Sequence, residues 1–316
     1  MEQATKEHFY NHGKTASPGC HWCQVRALGL TIVNEVDREF LPANFEFING
    51  MVLGKGVEPA EDSFRSGCSC ADDGNCQYTS CPCLADLEDD DMDVNDGTRK
   101  AYAYHTHGAK AGFLRSRLLD STVPLYECHK GCACSSQCPN RVVERGRTVP
   151  LQIFKTANRG WGVRSQAPIK RGQFVDRYLG EIITAKEADR RRANSSVSQQ
   201  KDVYLFALDK FTDPHSLDPR LNSSPLEVDG EFMSGPTRFI NHSCDPNLRI
   251  FARVGDHADK HIHDLALFAI KDIQRGEELT FDYVNGVDEE QDEMDGNVEG
   301  MTKCLCGSAI CRKFLW

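Results

Sequence analysis

Residues 238–247 read Arg238-Phe239-Ile240-Asn241-His242-Ser243-Cys244-Asp245-Pro246-Asn247, and residues 277–283 read Glu277-Glu278-Leu279-Thr280-Phe281-Asp282-Tyr283. The first stretch sets a solitary cysteine among hydrogen-bonding side chains. In the second, strand alternation sends Phe281 and Tyr283 to one face. Cys244 has a counterpart at the end of the chain, in Cys304-x-Cys306-x4-Cys311. Those three thiols are one short of a closed tetrahedral zinc site, and Cys244 is the candidate fourth ligand. That assignment brings the tail alongside residues 241–247. The alternative leaves Cys244 a buried thiol and gives the tail a water or a histidine.

Nine further cysteines fall into two groups, Cys68, Cys70, Cys76, Cys81, Cys83 and Cys128, Cys132, Cys134, Cys138. Nine thiols leave a remainder when divided into independent four-thiolate sites. They do satisfy a single three-zinc cluster, because three tetrahedral ions need about twelve ligand positions and three bridging thiolates make up the difference. C-x-C pairs without histidine ligands or a following basic helix do not resemble a groove-reading finger, so a structural brace is expected rather than a DNA reader. Cys20 and Cys23 are expected to be unpaired thiols. The total of fifteen cysteines is odd and tightly spaced, which favours zinc thiolate in a reducing compartment over disulfides.

The chain has 316 residues and a formal charge of −10. No apolar run reaches about 18 residues, and no basic-then-apolar leader opens the chain, so neither a membrane span nor a signal peptide is expected. The acidic balance argues against gripping nucleic acid with the whole surface and suits a basic partner. It would equally well keep the protein soluble.

From residue 151 the texture becomes short β-type runs punctuated by glycine, at 151–154, 162–164, 174–178, 203–208, 266–269 and 279–283. Spaced apolar residues at 30–47 (Ile32, Val33, Val36, Phe40, Phe45, Phe47) predict extended structure packed on a neighbour. Residues 185–192 predict a helix capped by Thr184. The acidic run 88–93 reads as a solvated loop. Segments 193–201 and 284–300 are expected to be disordered; the latter has seven acidic residues and no basic one.

Four segments taken in order resemble the SET-domain lysine methyltransferases: Arg159-Gly160-Trp161-Gly162, Tyr178-Leu179-Gly180-Glu181, and the two stretches quoted at the outset. With the nine-cysteine block as a pre-SET region and the C-x-C-x4-C tail as a post-SET region, the resemblance covers about residues 30 to 316. It is strongest to the fungal heterochromatin-type enzymes that methylate lysine 9 of histone H3. The implied architecture is mainly β with few helices, a SET fold whose segments around Asn241 and Tyr283 form a threaded, knot-like arrangement. The implied divisions are a flexible N-terminus (1–27), pre-SET region (28–147), SET domain (148–284), acidic flexible loop (285–300) and post-SET tail (301–316).

The resemblance also implies roles. Arg159, Gly160, Trp161, Tyr204, Arg238, Phe239, Asn241 and His242 fall at or beside cofactor positions for S-adenosylmethionine. Glycine permits close backbone approach, while arginine and tryptophan supply charge and a stacking face. Tyr178, Phe206, Phe281, Tyr283 and Trp316 match a channel for the substrate lysine, with Tyr283 and Tyr178 as the catalytic residues. The strand at 203–208 could pair with an extended peptide, with Leu205 and Ala207 on it and Asp209 and Glu227 as partners for basic residues. Phe281 in place of tyrosine implies a product extending to trimethyllysine.

Further expectations are a histone H3 tail as substrate, a chromatin-targeting adaptor, a nuclear and chromatin location, a role in heterochromatin and silencing, and a monomer. Neither a membrane nor a specific DNA sequence is an expected partner. Competing readings are a methyltransferase for another histone or non-histone site, a silent histone-binding module, and a zinc-dependent nucleic-acid binder. The last would show steeply salt-dependent DNA affinity.

Overall fold

The computed structural model describes residues 29–78, 80–87, 93–95, 98–100, 103–194, 204–284 and 302–315. The N-terminus with Cys20 and Cys23, residues 88–92 of the acidic run, residues 285–300 and Trp316 lie outside the described residues. Strands are numbered in chain order. β7 (Leu151–Lys155) and β8 (Trp161–Ser165) form an antiparallel hairpin, with β1 (Thr31–Val33) parallel to β7 and β17 (Glu278–Phe281) antiparallel to β8. β14 (Asn241–His242) completes this sheet by pairing in parallel with β17, Asn241 opposite Thr280 and His242 opposite Phe281.

A parallel pair cannot be closed by a tight turn. Here the intervening chain makes β15 (Leu248–Val254) and β16 (Asp264–Ala269), which belong to another sheet, before it returns. Asn247 fastens the junction. Its side chain accepts from the Thr280 N–H at 2.9 Å and donates to the Glu278 carbonyl at 2.9 Å, while the Ser243 N–H reaches the Phe281 carbonyl.

The second sheet runs β6 (Leu125–Tyr126), β15, β16, β9 (Phe174–Tyr178). A third runs β11 (Leu205–Ala207), β12 (Glu227–Asp229), β10 (Glu181–Ile183), β3 (Val52–Leu53), which leaves β11 at an edge. β2 (Glu46–Phe47) pairs with β13 (Met233–Ser234), and β4 (Asp93–Asn95) with β5 (Thr98–Lys100). The α-helices among the described residues are α1 (Ser116–Leu119) and α2 (Ala185–Asn194). The expected mainly β fold with few helices is what forms. Thr184 caps α2, its hydroxyl accepting from the Glu187 N–H at 3.3 Å.

Several local expectations change. Val36 and Phe40 are exposed, at 53% and 74%, rather than packed. The reason is Asn34, whose side chain accepts from the Val36 and Asp37 N–H groups and turns the chain at the end of β1. Helix α2 continues through Ala193 and Asn194, inside the segment expected to be disordered. Asp93, read as loop, begins β4. β17 stops at Phe281 because Asp282 bends the chain, its carboxylate accepting from the Val284 N–H. The longest strand, β15, is not anticipated, because Arg249 and Arg253 interrupt its apolar pattern.

Arg253 also explains how the cysteine region is joined to the rest. β6 of the cysteine region runs parallel to the end of β15, and the next residue, Glu127, is fully buried. Its carboxylate accepts from the N–H groups of Val142, Val143 and Glu144, from the Tyr104 hydroxyl at 2.6 Å and from the Arg253 guanidinium at 3.1 Å. Arg253 also bonds Glu144 and Asp264, each at 3.0 Å. Burial and the Glu127 charge hold the Tyr104 phenol well above its ordinary range, so it remains a donor. Glu127→Ala should cost roughly 3–5 kcal/mol, since it leaves three backbone N–H groups and the Tyr104 hydroxyl buried without an acceptor, while Arg253 keeps Glu144 and Asp264. An unfolding free energy from urea titration reduced to that extent is the expected result.

Candidate active site

Tyr178 ends β9, Phe206 lies in β11, Phe281 ends β17 and Tyr283 follows two residues later. Three different sheets thereby deliver one continuous run of rings. Centroids are 4.6 Å apart for Tyr178–Phe206, 5.7 Å for Phe206–Phe281 and 4.8 Å for Phe281–Tyr283. Both phenol protons are spent on backbone: Tyr178 donates to the Tyr204 carbonyl at 3.1 Å and Tyr283 to the Ile240 carbonyl at 2.6 Å. Burial pushes both phenols above their ordinary range, so they stay protonated and turn oxygen lone pairs toward any neighbouring donor. Room for the Tyr178 hydroxyl depends on Gly230. A Cβ there would overlap the phenol oxygen and lie 2.8 Å from its Cζ.

Beside these rings is a second constellation. The Arg238 guanidinium lies over the Tyr204 ring at 4.3 Å and the Phe45 ring at 5.2 Å. Its Nε is buried with no hydrogen-bond partner among the described residues. Asn241 Nδ2 donates to the Trp161 carbonyl at 3.2 Å and to Glu278 Oε1 at 2.8 Å, while Arg159 pairs with the other oxygen of Glu278. Gly162 leaves space for that carboxylate, since a Cβ would meet Glu278 Oε1 at 2.9 Å. Gly160 turns the hairpin at a φ of 68°. Phe239 is buried against Phe45, centroids 5.1 Å apart, and belongs to the core behind the site. An unpartnered guanidinium N–H among aromatic faces suits a ligand that has both a carboxylate and a flat ring. S-adenosylmethionine meets that description.

His242 links the two constellations. Burial pulls its imidazole down to about 4, so it is neutral. Nδ1 accepts from the Tyr283 N–H at 3.2 Å, which places the proton on Nε2, 3.3 Å from Cys244 Sγ.

On the peptide side, Tyr204 O and Leu208 N bond across to β12, through Gly230 N and Leu226 O. Antiparallel alternation therefore turns the main-chain groups of Leu205 and Ala207 toward the open edge. Asp209 is exposed. Glu227 is buried and held by both terminal nitrogens of Arg192, so its charge is already matched.

Two sets of cysteines gather among the described residues. Cys244, Cys304, Cys306 and Cys311 bring their sulfurs within 4.8 Å of one another. Upstream, three overlapping quartets do the same: Cys68, Cys83, Cys128, Cys132; then Cys68, Cys76, Cys81, Cys128; then Cys76, Cys128, Cys134, Cys138. Cys68 and Cys76 each fall in two of these quartets and Cys128 in all three. Cys70 is in none of these quartets. Burial pushes the Cys70 and Cys304 thiols up to about 12. The donor set fits zinc at both places. The two halves of the upstream cluster are clamped by the Ala133 N–H to the Cys68 carbonyl and by Ser135 to Asp73.

Sequence reasoning passes over Gly230, Asn247, Glu278, Asp282 and Arg312 as working parts of the site. Four of them stand in or beside quoted motifs, the available signal. Nothing local marks Gly230.

A model of the SET domain matches residues 160–284, and one of the Pre-SET motif matches residues 22–141. The Fusarium mangiferae protein "Histone-lysine N-methyltransferase, H3 lysine-9 specific KMT1" is 66% identical, the alignment covering 100% of this chain and 99% of that protein. The solved structure of the Neurospora SET domain protein DIM-5, a histone lysine methyltransferase, is 64% identical with a TM-score of 0.75, covering 88% of this chain and 99% of that one. Arabidopsis thaliana SUVH6 in complex with SAM is 30% identical with a TM-score of 0.66, over 90% of this chain and 53% of that one.

Removing one thiol from the tail quartet tests the metal assignment directly. Cys244→Ser should lower bound zinc by about one equivalent per chain relative to wild type and leave the upstream cluster loaded, as read by elemental analysis.

Proposed function

The chain belongs to the SET-domain histone-lysine N-methyltransferases, and we propose that it methylates lysine 9 of histone H3 as far as the trimethyl state. The observation that carries this reading is the run of rings from Tyr178 through Phe206 and Phe281 to Tyr283, with two phenol oxygens free to accept. When bound, S-adenosylmethionine supplies an electrophilic methyl group, and Arg159, Gly160, Trp161, Tyr204, Arg238, Asn241 and His242 form the region that would hold it, with Phe239 packed behind them.

The chain's own residues handle the lysine. Its amine titrates near 10.4 in water and is unreactive while protonated. An apolar aromatic channel disfavours the ammonium by desolvation. The Tyr178 and Tyr283 oxygens accept whatever N–H bonds the neutral amine still carries, because their own protons are committed to the carbonyls of Tyr204 and Ile240; the dimethylated amine carries none, and the surrounding rings alone hold it for the last transfer. With those directions taken, the nitrogen lone pair is aimed rather than free to rotate, and catalysis is largely by positioning. Phe281 offers no hydroxyl, so accumulating methyl groups meet no competing hydrogen bond and can turn in the channel. Trp316 is proposed to cover that channel.

An extended H3 tail would add to the open edge of β11 through Leu205 and Ala207, with Asp209 facing its basic side chains. Glu227 contributes indirectly, by holding Arg192. Zinc is proposed as three ions in the upstream cluster and one in the tail. The setting is the nucleus and chromatin, as a monomer recruited by an adaptor, in heterochromatin formation and silencing.

Incubation with labelled S-adenosylmethionine and intact histones, followed by mass spectrometry, should find trimethyl at H3 lysine 9. Phe281→Tyr should stop earlier; label on another residue, or an unchanged Phe281→Tyr product, would overturn the corresponding part. Gly230→Ala displaces the Tyr178 hydroxyl and should lower kcat by roughly 10²-fold, measured on an H3 peptide.

A further inference from the structure

The tail quartet is followed by Arg312, which touches both the metal-binding and the aromatic parts of the site. Its backbone N–H lies 3.4 Å from Cys244 Sγ. Its guanidinium forks onto Asp282, Nη1 to Oδ2 at 2.9 Å and Nη2 to Oδ1 at 2.6 Å. Asp282 is the residue between Phe281 and Tyr283. The same carboxylate lies 3.4 Å from His242 Nδ1, the atom that accepts the Tyr283 N–H, and accepts from the Val284 N–H. The Asp282 side chain is only 16% exposed, so the fork is partly shielded.

Four thiolates around one ion can anchor the tail at Cys244 but leave the orientation of residues 281–284 open. A bidentate guanidinium–carboxylate pair supplies directional restraint, because both partners are planar. Its contribution to global stability is small for a pair this near the surface. Its consequence is therefore geometric. We propose that Arg312 is a positioning residue, which sets the backbone between Phe281 and Tyr283 from the docked tail and so aims the Tyr283 hydroxyl.

This rests on the methyltransferase reading, and the test separates the two. The zinc-loaded full chain is compared with Arg312→Ala, Arg312→Lys, Asp282→Asn and the Arg312→Ala/Asp282→Asn double variant. Arg312→Ala should retain the wild-type zinc content and lose kcat by roughly 10²-fold, with KM for an H3 peptide little changed. Lysine should restore part of the rate, since one ammonium cannot fork. The double variant should be no slower than Asp282→Asn alone, because the two changes break one contact. An unchanged kcat, additive losses, or zinc lost together with the rate would overturn the proposal. Hydrogen exchange on the same proteins reads residues 281–284 without activity. Faster exchange there in Arg312→Ala is expected, and unchanged protection would overturn the proposal even if wild type methylates nothing. A wild type inert toward every histone would instead overturn the methyltransferase reading.

Discussion

The short parallel pairing of β14 with β17 is the constraint on which the site depends. It sets His242 opposite Phe281 and Asn241 opposite Thr280. From that register follow the His242–Tyr283 contact and the Tyr283 hydroxyl bond to Ile240. So does the reach of Asn241 to Glu278 and Trp161. Two residue pairs make a weak ladder by themselves. The Asn247 side chain reinforces it by satisfying Thr280 N–H and Glu278 C=O, groups a longer strand would have paired for itself.

The cysteines divide by distance from this junction. Those from Cys68 to Cys138 knit the upstream region, which reaches the catalytic sheets through β6 and the buried Glu127–Arg253 network. A buried carboxylate with five donors aimed at it is costly to disrupt but permits only one arrangement of the elements around it. The other set, Cys244 with the tail, lies against His242 and brings Arg312 onto Asp282. One set lies within the upstream region, and the other sets the tail beside His242 and Asp282.

Much of this was legible because the informative signals were chemical and local. Cysteine spacing implied shared metal ligands, and alternation through Phe281 and Tyr283 anticipated a shared face even though β17 ends between them. Where reading failed, a polar side chain was performing a role that only its partner reveals. Arg253 and Arg249 disguised β15 as a polar segment, yet Arg253 is buried against three carboxylates. Asn34 ended β1 early and left Val36 and Phe40 in solvent. Glu227 looked like an open acid until Arg192 was found on it.

By itself the sequence determined the inventory: which thiols can hold metal, which aromatics can line a channel, which runs are extended, and the ordered motifs that place the chain in its family. Only tertiary structure decided the pairings. Gly230 matters because Tyr178 points at it, and Arg312 because Asp282 lies within reach of its guanidinium. Both facts depend on contacts between residues tens of positions apart. Periodicity and composition report the conformation and burial of one segment, whereas such contacts are set by how separate segments pack.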